Sequence, residues 1–349
     1  MNRLVAALDL VRVPSVSRGE DDLASQIESV LRAHPHLDVE RIGDNVVART
    51  TGYHATRLLV AGHLDTIPGD ASLSVISGDQ LRGVGACDMK GSLSVMLELA
   101  IDPEPRSVEL TWVFYAREEI ARSESGLGEI AELRPDLLAA DAVVLAEPTG
   151  GVVEAGCQGS MRVRVTLGGA RAHTARPFTG VNAIHRLGSL LARVASYEPR
   201  VAYVDNVAYC EQLQAVKVEG GIAGNVVPDS ATCTLNHRFA PDRTHQEAMT
   251  WLRDFLADEL HDGDALELSD WAPSASPAMT NERLRSLVAA TGQPARGKVG
   301  WTDVATFSEL GIPATNFGAG DPLLAHRSDE FVTVQELDEF ARVLGEWVR

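Results

Sequence analysis

The stretch Leu110–Gly126, "LTWVFYAREEIARSESG", decides how the rest of the chain is read. It opens on a near-continuous apolar run, the pattern of a strand covered on both faces, as in a parallel sheet. Directly after it, Glu118 and Glu119 stand side by side. Adjacent carboxylates at a strand end serve either as a solvated loop or as a working pair, one binding a metal while the other handles a proton. The second role needs partners elsewhere in the chain.

Working outward, a capping-box spacing from Ser17 to Glu20 predicts a helix running to about Ala33. Short apolar strands follow at "NVVAR" and "RLLVAG", then a helix at "GSLSVMLELA", the strand "VELTWVFYA", a helix after Ser125 and the strand "DAVVLAE". Strands alternating with helices predict an α/β layer with a mainly parallel sheet, whose sites collect at the carboxyl ends of the strands. From about Gly159 the texture changes. "SMRVRVTLGG" and "LQAVKVEGG" alternate apolar and polar residues, and "VNAIHRLGSLLARVA" is an amphipathic helix between them. With "SATCTLNHRFA" and the helix "HQEAMTWLRDFLADEL" these complete a β-α-β-β-α-β, ferredoxin-like α+β unit ending near Leu268. The α/β texture then resumes with a helix from Asn281, a strand near Ala295, another at "PATNF" and a last helix from Val334. The expected organisation is a discontinuous domain, residues 1–158 and 270–349, with a smaller domain, 159–269, inserted into it.

Composition agrees with two domains, since 349 residues exceed what one hydrophobic core normally serves. With 49 acidic against 31 basic residues the net charge is -18, which argues against nucleic acid or an anionic membrane surface as partner. Cys87, Cys157, Cys210 and Cys233 lack metal-finger spacing and suit reduced thiols of a cytoplasmic protein. No segment reaches the roughly 20 apolar residues of a membrane span, and the N-terminal apolar stretch lacks a cleavage site.

Other strand ends supply the partners that the glutamates need. "LLVAGHLDTIP" places His63 just past a strand with Asp65 two residues on, where a carboxylate can fix the imidazole tautomer. "GVGACDMKG" sets Asp88 at a glycine-rich helix entry, where helix capping is the alternative. "VVLAEPTG" ends a strand with Glu147, and "LLAHRSDE" brings His326 on a late loop. Two imidazoles and three carboxylates on loops of one α/β domain suit a pair of zinc ions, one carboxylate bridging them. Glu118 is then free to move a proton.

In that order, "GHLDTIP", "GACDMKG", "REE", "AEPT" and "LAHRSDE" resemble the motifs of the dinuclear-zinc deacylases and exopeptidases, the aminoacylase/carboxypeptidase family. The resemblance runs over nearly the whole chain. It implies a zinc-hydrolase catalytic domain with a lid and dimerisation domain, and two Zn2+ per subunit, for which Co2+ can substitute. It assigns His63, Asp88 and Glu147 to one ion and Asp88, Glu119 and His326 to the other, with Asp65 orienting His63 and Glu118 as general base. It also implies a cis peptide at Asp88–Met89. His173, in "RAHTARP", would polarise the scissile carbonyl in the partner subunit's site of a homodimer, the alternative being a surface histidine at a strand end.

Further stretches, "EAGCQGSMRVRV", "GGIAGNVVPDSA", "NHRFAPDR" and "KVGWTDVATF", look most like the actinobacterial form of the family's desuccinylase branch. That likeness implies a small anionic N-acyl amino acid as substrate, N-succinyl-L,L-diaminopimelate first, with acetylornithine-like deacylation or dipeptide hydrolysis as alternatives. Asn225, Arg238, Arg176 and Ser160 are the expected substrate contacts, Arg238 being suited to a bidentate carboxylate. Two departures stand out: Ala305 where the branch commonly carries Arg, and "GCQGS" where relatives are basic.

Overall fold

The computed structural model describes residues 2–349. It divides into two compact units. The first runs to Gly156 and resumes at Pro277–Arg296 and Thr302–Arg349, and the second comprises Cys157–Ser276 and Gly297–Trp301.

The first unit is built on an eight-stranded sheet in the order Leu37–Ile42, Asn45–Thr50, Glu109–Tyr115, Arg57–His63, Ala142–Leu145, Ala314–Asn316, Glu154–Ala155 and Arg296–Gly297. The four strands from Glu109–Tyr115 to Ala314–Asn316 are mutually parallel, and antiparallel strands flank them. Every residue of Glu109–Tyr115 and of Ala142–Leu145 is buried, because helices cover both faces. Helices Arg3–Val11, Asp21–Arg32, Gly91–Ile101, Glu282–Thr291 and Val334–Trp347 supply the core that packs on this sheet.

The second unit is a four-stranded antiparallel sheet, Gln212–Gly220, Ser230–Phe239, Gly159–Gly168 and Ala265–Ala272 in spatial order. In chain order its elements run β-α-β-β-α-β, the ferredoxin-like arrangement. Gly159–Gly168 and Ser230–Phe239 alternate in burial, and the buried set packs against helices Ala183–Ala195 and His245–Phe255. Asn182 caps the first helix through Ile184 N and His185 N, and Thr244 forms a capping box with Glu247 on the second. A hairpin, Val201–Val204 with Val207–Cys210, was not foreseen from the sequence, nor was the edge strand Leu37–Ile42.

One local expectation fails. The capping box at Ser17 and Glu20 does not form: the helix begins at Asp21, and Glu20 sits at the N-cap without a side-chain capping bond. Ser17 Oγ instead donates to Asp65 Oδ2 at 2.7 Å, and Glu20 Oε1 accepts from Arg117 N at 3.0 Å. Tertiary partners outbid the local pairing because both side chains face the same loop ends. Among the described residues no helix is long and apolar enough to cross a membrane.

Candidate active site

Three adjacent parallel strands set the site. His63 closes Arg57–His63, Glu118 and Glu119 follow Glu109–Tyr115, and Glu147 follows Ala142–Leu145. Register pairs His63 with Tyr115 and Ala61 with Leu145, so these residues leave the sheet at one edge. Asp88 arrives on the irregular turn Ala86–Lys90 that leads into helix Gly91–Ile101, and His326 on the loop before Phe331–Thr333. The Asp88–Met89 peptide is cis, as the resemblance implies. Arg117 and His326 both adopt left-handed backbone, with φ of 63° and 64°, an uncommon state for residues with a Cβ and one that clusters at functional sites.

Donor atoms of His63, Asp88 and Glu119 lie within 4.8 Å of one another. Asp88 faces both imidazoles. Its Oδ1 is 3.1 Å from His63 Nε2 and its Oδ2 is 3.6 Å from His326 Nε2, while His326 Nε2 also lies 2.9 Å from Glu119 Oε2. One carboxylate with an oxygen toward each imidazole is an arrangement that could serve a pair of divalent cations. Glu147 is buried beside them, and its charge acts on both His63 and Glu118.

The electrostatics agree with a cation site. Burial disfavours a proton on His63, but Asp65, Asp88 and Glu147 outweigh it and raise the ring well above its ordinary value. The hydrogen bond to Glu119 lifts His326 to about 9. A metal ligated by these nitrogens therefore displaces protons that the surrounding acids hold in place. Glu118 is partly open to solvent, yet desolvation and then the charge of Glu147 push its carboxyl well above the usual range. A carboxyl whose charged form is disfavoured in this way accepts a proton more readily than a solvated one.

Asp65 does more than adjoin His63. Its main-chain oxygen is 2.9 Å from His63 Nδ1, nearer than its carboxylate Oδ1 at 3.6 Å. The carboxylate accepts the main-chain N–H groups of Glu118 at 2.9 Å and Glu119 at 3.0 Å, together with the Ser17 hydroxyl. Desolvation opposes its charge, but His63, Ser17 and the Glu118 amide prevail and hold it at about 2.

The remaining candidates lie in the second unit and form two groups. His173 and Asn225 are brought together where Thr174 N donates to Asn225 O at 3.1 Å, and Arg176 N donates to His173 O at 2.7 Å. His173 is exposed, and its Nδ1 accepts from Ala175 N at 3.0 Å. That bond places the proton of the neutral ring on Nε2, leaving a donor directed away from the loop. Ser160 and Arg238 are cross-strand partners in the sheet.

The chain's relatives fit this geometry. Residues 59–349 match peptidase family M20/M25/M40. A Mycobacterium tuberculosis protein provisionally named succinyl-diaminopimelate desuccinylase DapE is 45% identical over 344 residues, covering 96% of each chain. The succinyl-diaminopimelate desuccinylase of Corynebacterium glutamicum is 41% identical over 353 residues, 99% of this chain and 95% of its own. This chain belongs to peptidase family M20/M25/M40. Among solved structures, the YXEP protein of Bacillus subtilis, described as a dinuclear metal binding peptidase of the M20 family, superposes with a TM-score of 0.71. It shares 16% identity, covers 99% of this chain and 96% of its own, and so agrees on the M20 fold.

Several residues around this M20 site escaped sequence reasoning. Asp303 is fully buried, accepts from Thr306 Oγ1 at 2.9 Å, and acts on Glu118 through its charge. Glu330, Ser17 and Glu20 hold main-chain or side-chain groups of the site's loops. The "HRSDE" motif contains Glu330, but nothing local indicates that its carboxylate turns back toward Asp88.

Proposed function

We propose that this M20 protein is a metal-dependent amidohydrolase that hydrolyses N-succinyl-L,L-2,6-diaminopimelate to succinate and L,L-diaminopimelate in the cytoplasm. Identity of 45% and 41% to desuccinylases over nearly the whole chain carries the reading, and this chain has every residue of the proposed donor set. His63, Asp88 and Glu147 would hold one zinc and Asp88, Glu119 and His326 the other, with Co2+ a workable replacement. Two such cations supply Lewis-acid polarisation of the amide carbonyl and make water at the site more acidic.

The chain's own groups account for the rest. Glu118 takes a proton from the attacking water as the new C–O bond forms, then returns it to the amine nitrogen, whose protonation lets the amide C–N bond break. His173 donates a hydrogen bond from its Nε2–H to the carbonyl oxygen as negative charge develops there, working in the partner subunit's site. Arg238, beside Ser160, and Asn225 bind the substrate carboxylate, and Arg176 compensates for the missing cations. Ala305, buried on the short helix Val304–Glu309, supplies no cation from that position, so the acyl-end cation must come from elsewhere.

Dimerisation through the second unit is supported by its sheet edge. Gln212–Gly220 is an edge strand with only Leu213 buried, and it exposes Val216 and Val218 beside unpaired backbone. Ile184 and Val181 add exposed apolar surface in the same unit.

The test is hydrolysis by zinc-loaded protein of N-succinyl-L,L-diaminopimelate, N-acetyl-L-ornithine and a neutral dipeptide, followed through the liberated amine. We expect kcat/KM for the succinyl compound to exceed the others by at least about 100-fold, the effect of one well-placed carboxylate contact. A preference for either alternative overturns the substrate and leaves the hydrolytic chemistry standing.

A further inference from the structure

Glu330 lies just before the strand Phe331–Thr333, and its side chain is almost completely buried. Its carboxylate is surrounded by main chain from the turn that carries Asp88. Oε1 accepts from Cys87 N at 2.7 Å and from Asp88 N at 2.9 Å, and Oε2 accepts from Gly85 N at 3.2 Å. The main chain closes the same junction, with Gly83 N donating to Glu330 O at 3.1 Å and Phe331 pairing with Arg82. Gly85 allows the tight approach: its φ is 81°, and a Cβ there would meet Thr66 Cγ2 at 2.6 Å.

Two consequences follow from elementary chemistry. Three N–H donors converging on one buried carboxylate fix the orientation of the peptide groups at Gly85, Cys87 and Asp88, and therefore the direction in which the Asp88 side chain leaves the turn. Glu330 also follows His326 by four residues, so one side chain ties the turn bearing Asp88 to the loop bearing His326. Asp65 repeats the device across the site, holding the amides of Glu118 and Glu119. Asp88 and Glu119 are thus each held through their main-chain amides by a buried acid, Glu330 in one case and Asp65 in the other.

We propose that Glu330 is a positioning residue for the metal centre: its carboxylate holds the Gly85–Asp88 main chain so that Asp88 directs one oxygen to each cation, in step with His326. The proposal rests on the reading of Asp88 as the shared ligand. Glu330→Gln is the informative change, because a carboxamide keeps the size and offers only one acceptor oxygen. Its NH2 group must then face either Gly85 N or the Cys87 and Asp88 pair, donor against donor.

The experiment exposes purified zinc holoenzyme to a graded metal-buffering chelator and measures zinc per subunit, for the parent, Glu330→Gln and Asp88→Ala. Visible absorption of the cobalt-loaded forms is recorded in parallel. Glu330→Gln should still take two ions at saturation, lose them at a free-metal concentration 10- to 100-fold higher than the parent, and show altered cobalt bands. Retention as tight as in the parent with an unchanged spectrum overturns the role of Glu330. Asp88→Ala should lose at least one ion; if it keeps two as firmly as the parent, the shared-ligand reading itself fails. Hydrogen exchange of the parent needs no variant and decides the matter if Glu330→Gln does not fold. The Cys87 and Asp88 amides should exchange at least 100-fold slower than an open turn, and rapid exchange overturns the proposal.

Discussion

Two groups of acid, one in each unit, are handled in opposite ways. In the second unit Glu211 is fully buried, and the chain answers it from within: Arg200 lies 3.1 Å from Oε1, Arg243 3.4 Å, and Ala240 N donates to it at 2.9 Å. In the first unit Asp88, Glu118, Glu119 and Glu147 gather around two imidazoles, whose own charge depends on bound protons. A guanidinium is a permanent counter-charge and makes a permanent structure. An imidazole gives way to a metal, so the second arrangement leaves part of its counter-charge to an exchangeable cation. The difference separates acid that serves the fold from acid that serves chemistry.

The sharpest way to break that contrast is Glu118→Gln. Turnover at saturating metal should fall by about 10²- to 10⁴-fold, the usual contribution of a positioned proton-transfer group. The metal-free protein should melt at the same temperature or higher, because the change removes a carboxyl that Glu147, Asp303 and Glu119 all disfavour in its charged form. Activity within a few-fold of the parent would show that Glu118 is not the base, and a lower melting temperature would show that it serves the fold.

Glu211→Gln should do the reverse. Leaving Arg200 and Arg243 facing a neutral group costs about 3 kcal/mol in denaturant unfolding, while zinc content stays at the parent value. Loss of metal from this variant would erase the distinction between the two kinds of acid.

A smaller effect concerns His237, whose ring nitrogens have no hydrogen-bond partner among the described residues and whose ring packs against Trp251 at 4.7 Å between centroids. Burial, and then the charge of Arg243, hold it at about 3. The folded chain therefore binds this proton less readily than the unfolded one. Stability is complete above about pH 6.5 and declines as pH falls toward 3, by at most about 2 kcal/mol between pH 6.5 and 5. His237→Phe should flatten that slope in unfolding experiments across the same range. An unchanged slope would assign the acid sensitivity to other groups.

The alternation of strands and helices, the switch to half-buried strands near Gly159 and the positions of His63, Glu119 and Glu147 at strand ends were all legible along the chain. Periodicity reports which faces are covered, and a residue just past a parallel strand has little choice of where to emerge. The hairpin Val201–Cys210 was not legible from its short strands, and its turn, Asp205–Asn206 with φ of 47° and 64°, lacks the glycine that usually marks such a pair. Ser17 and Glu20 illustrate a rule obeyed in spacing and overridden in space: each side chain found a better partner, Asp65 or Arg117, on a distant loop. Ala305 could be read as a missing cation along the chain, and the structure adds that the position is buried on a short helix.

Chain order alone thus settled the two textures, the acids and imidazoles at strand ends, and the family these motifs resemble, because each depends on residues close together in sequence. Which acids act as ligands and which act as braces was decided only in three dimensions. Glu330 holds amides some 242 positions away and Asp65 holds amides 53 and 54 away, contacts that exist only once the sheet has brought the loops together. A carboxylate looks the same along the chain whether it faces a cation or a peptide N–H, and the fold chooses by what it places opposite.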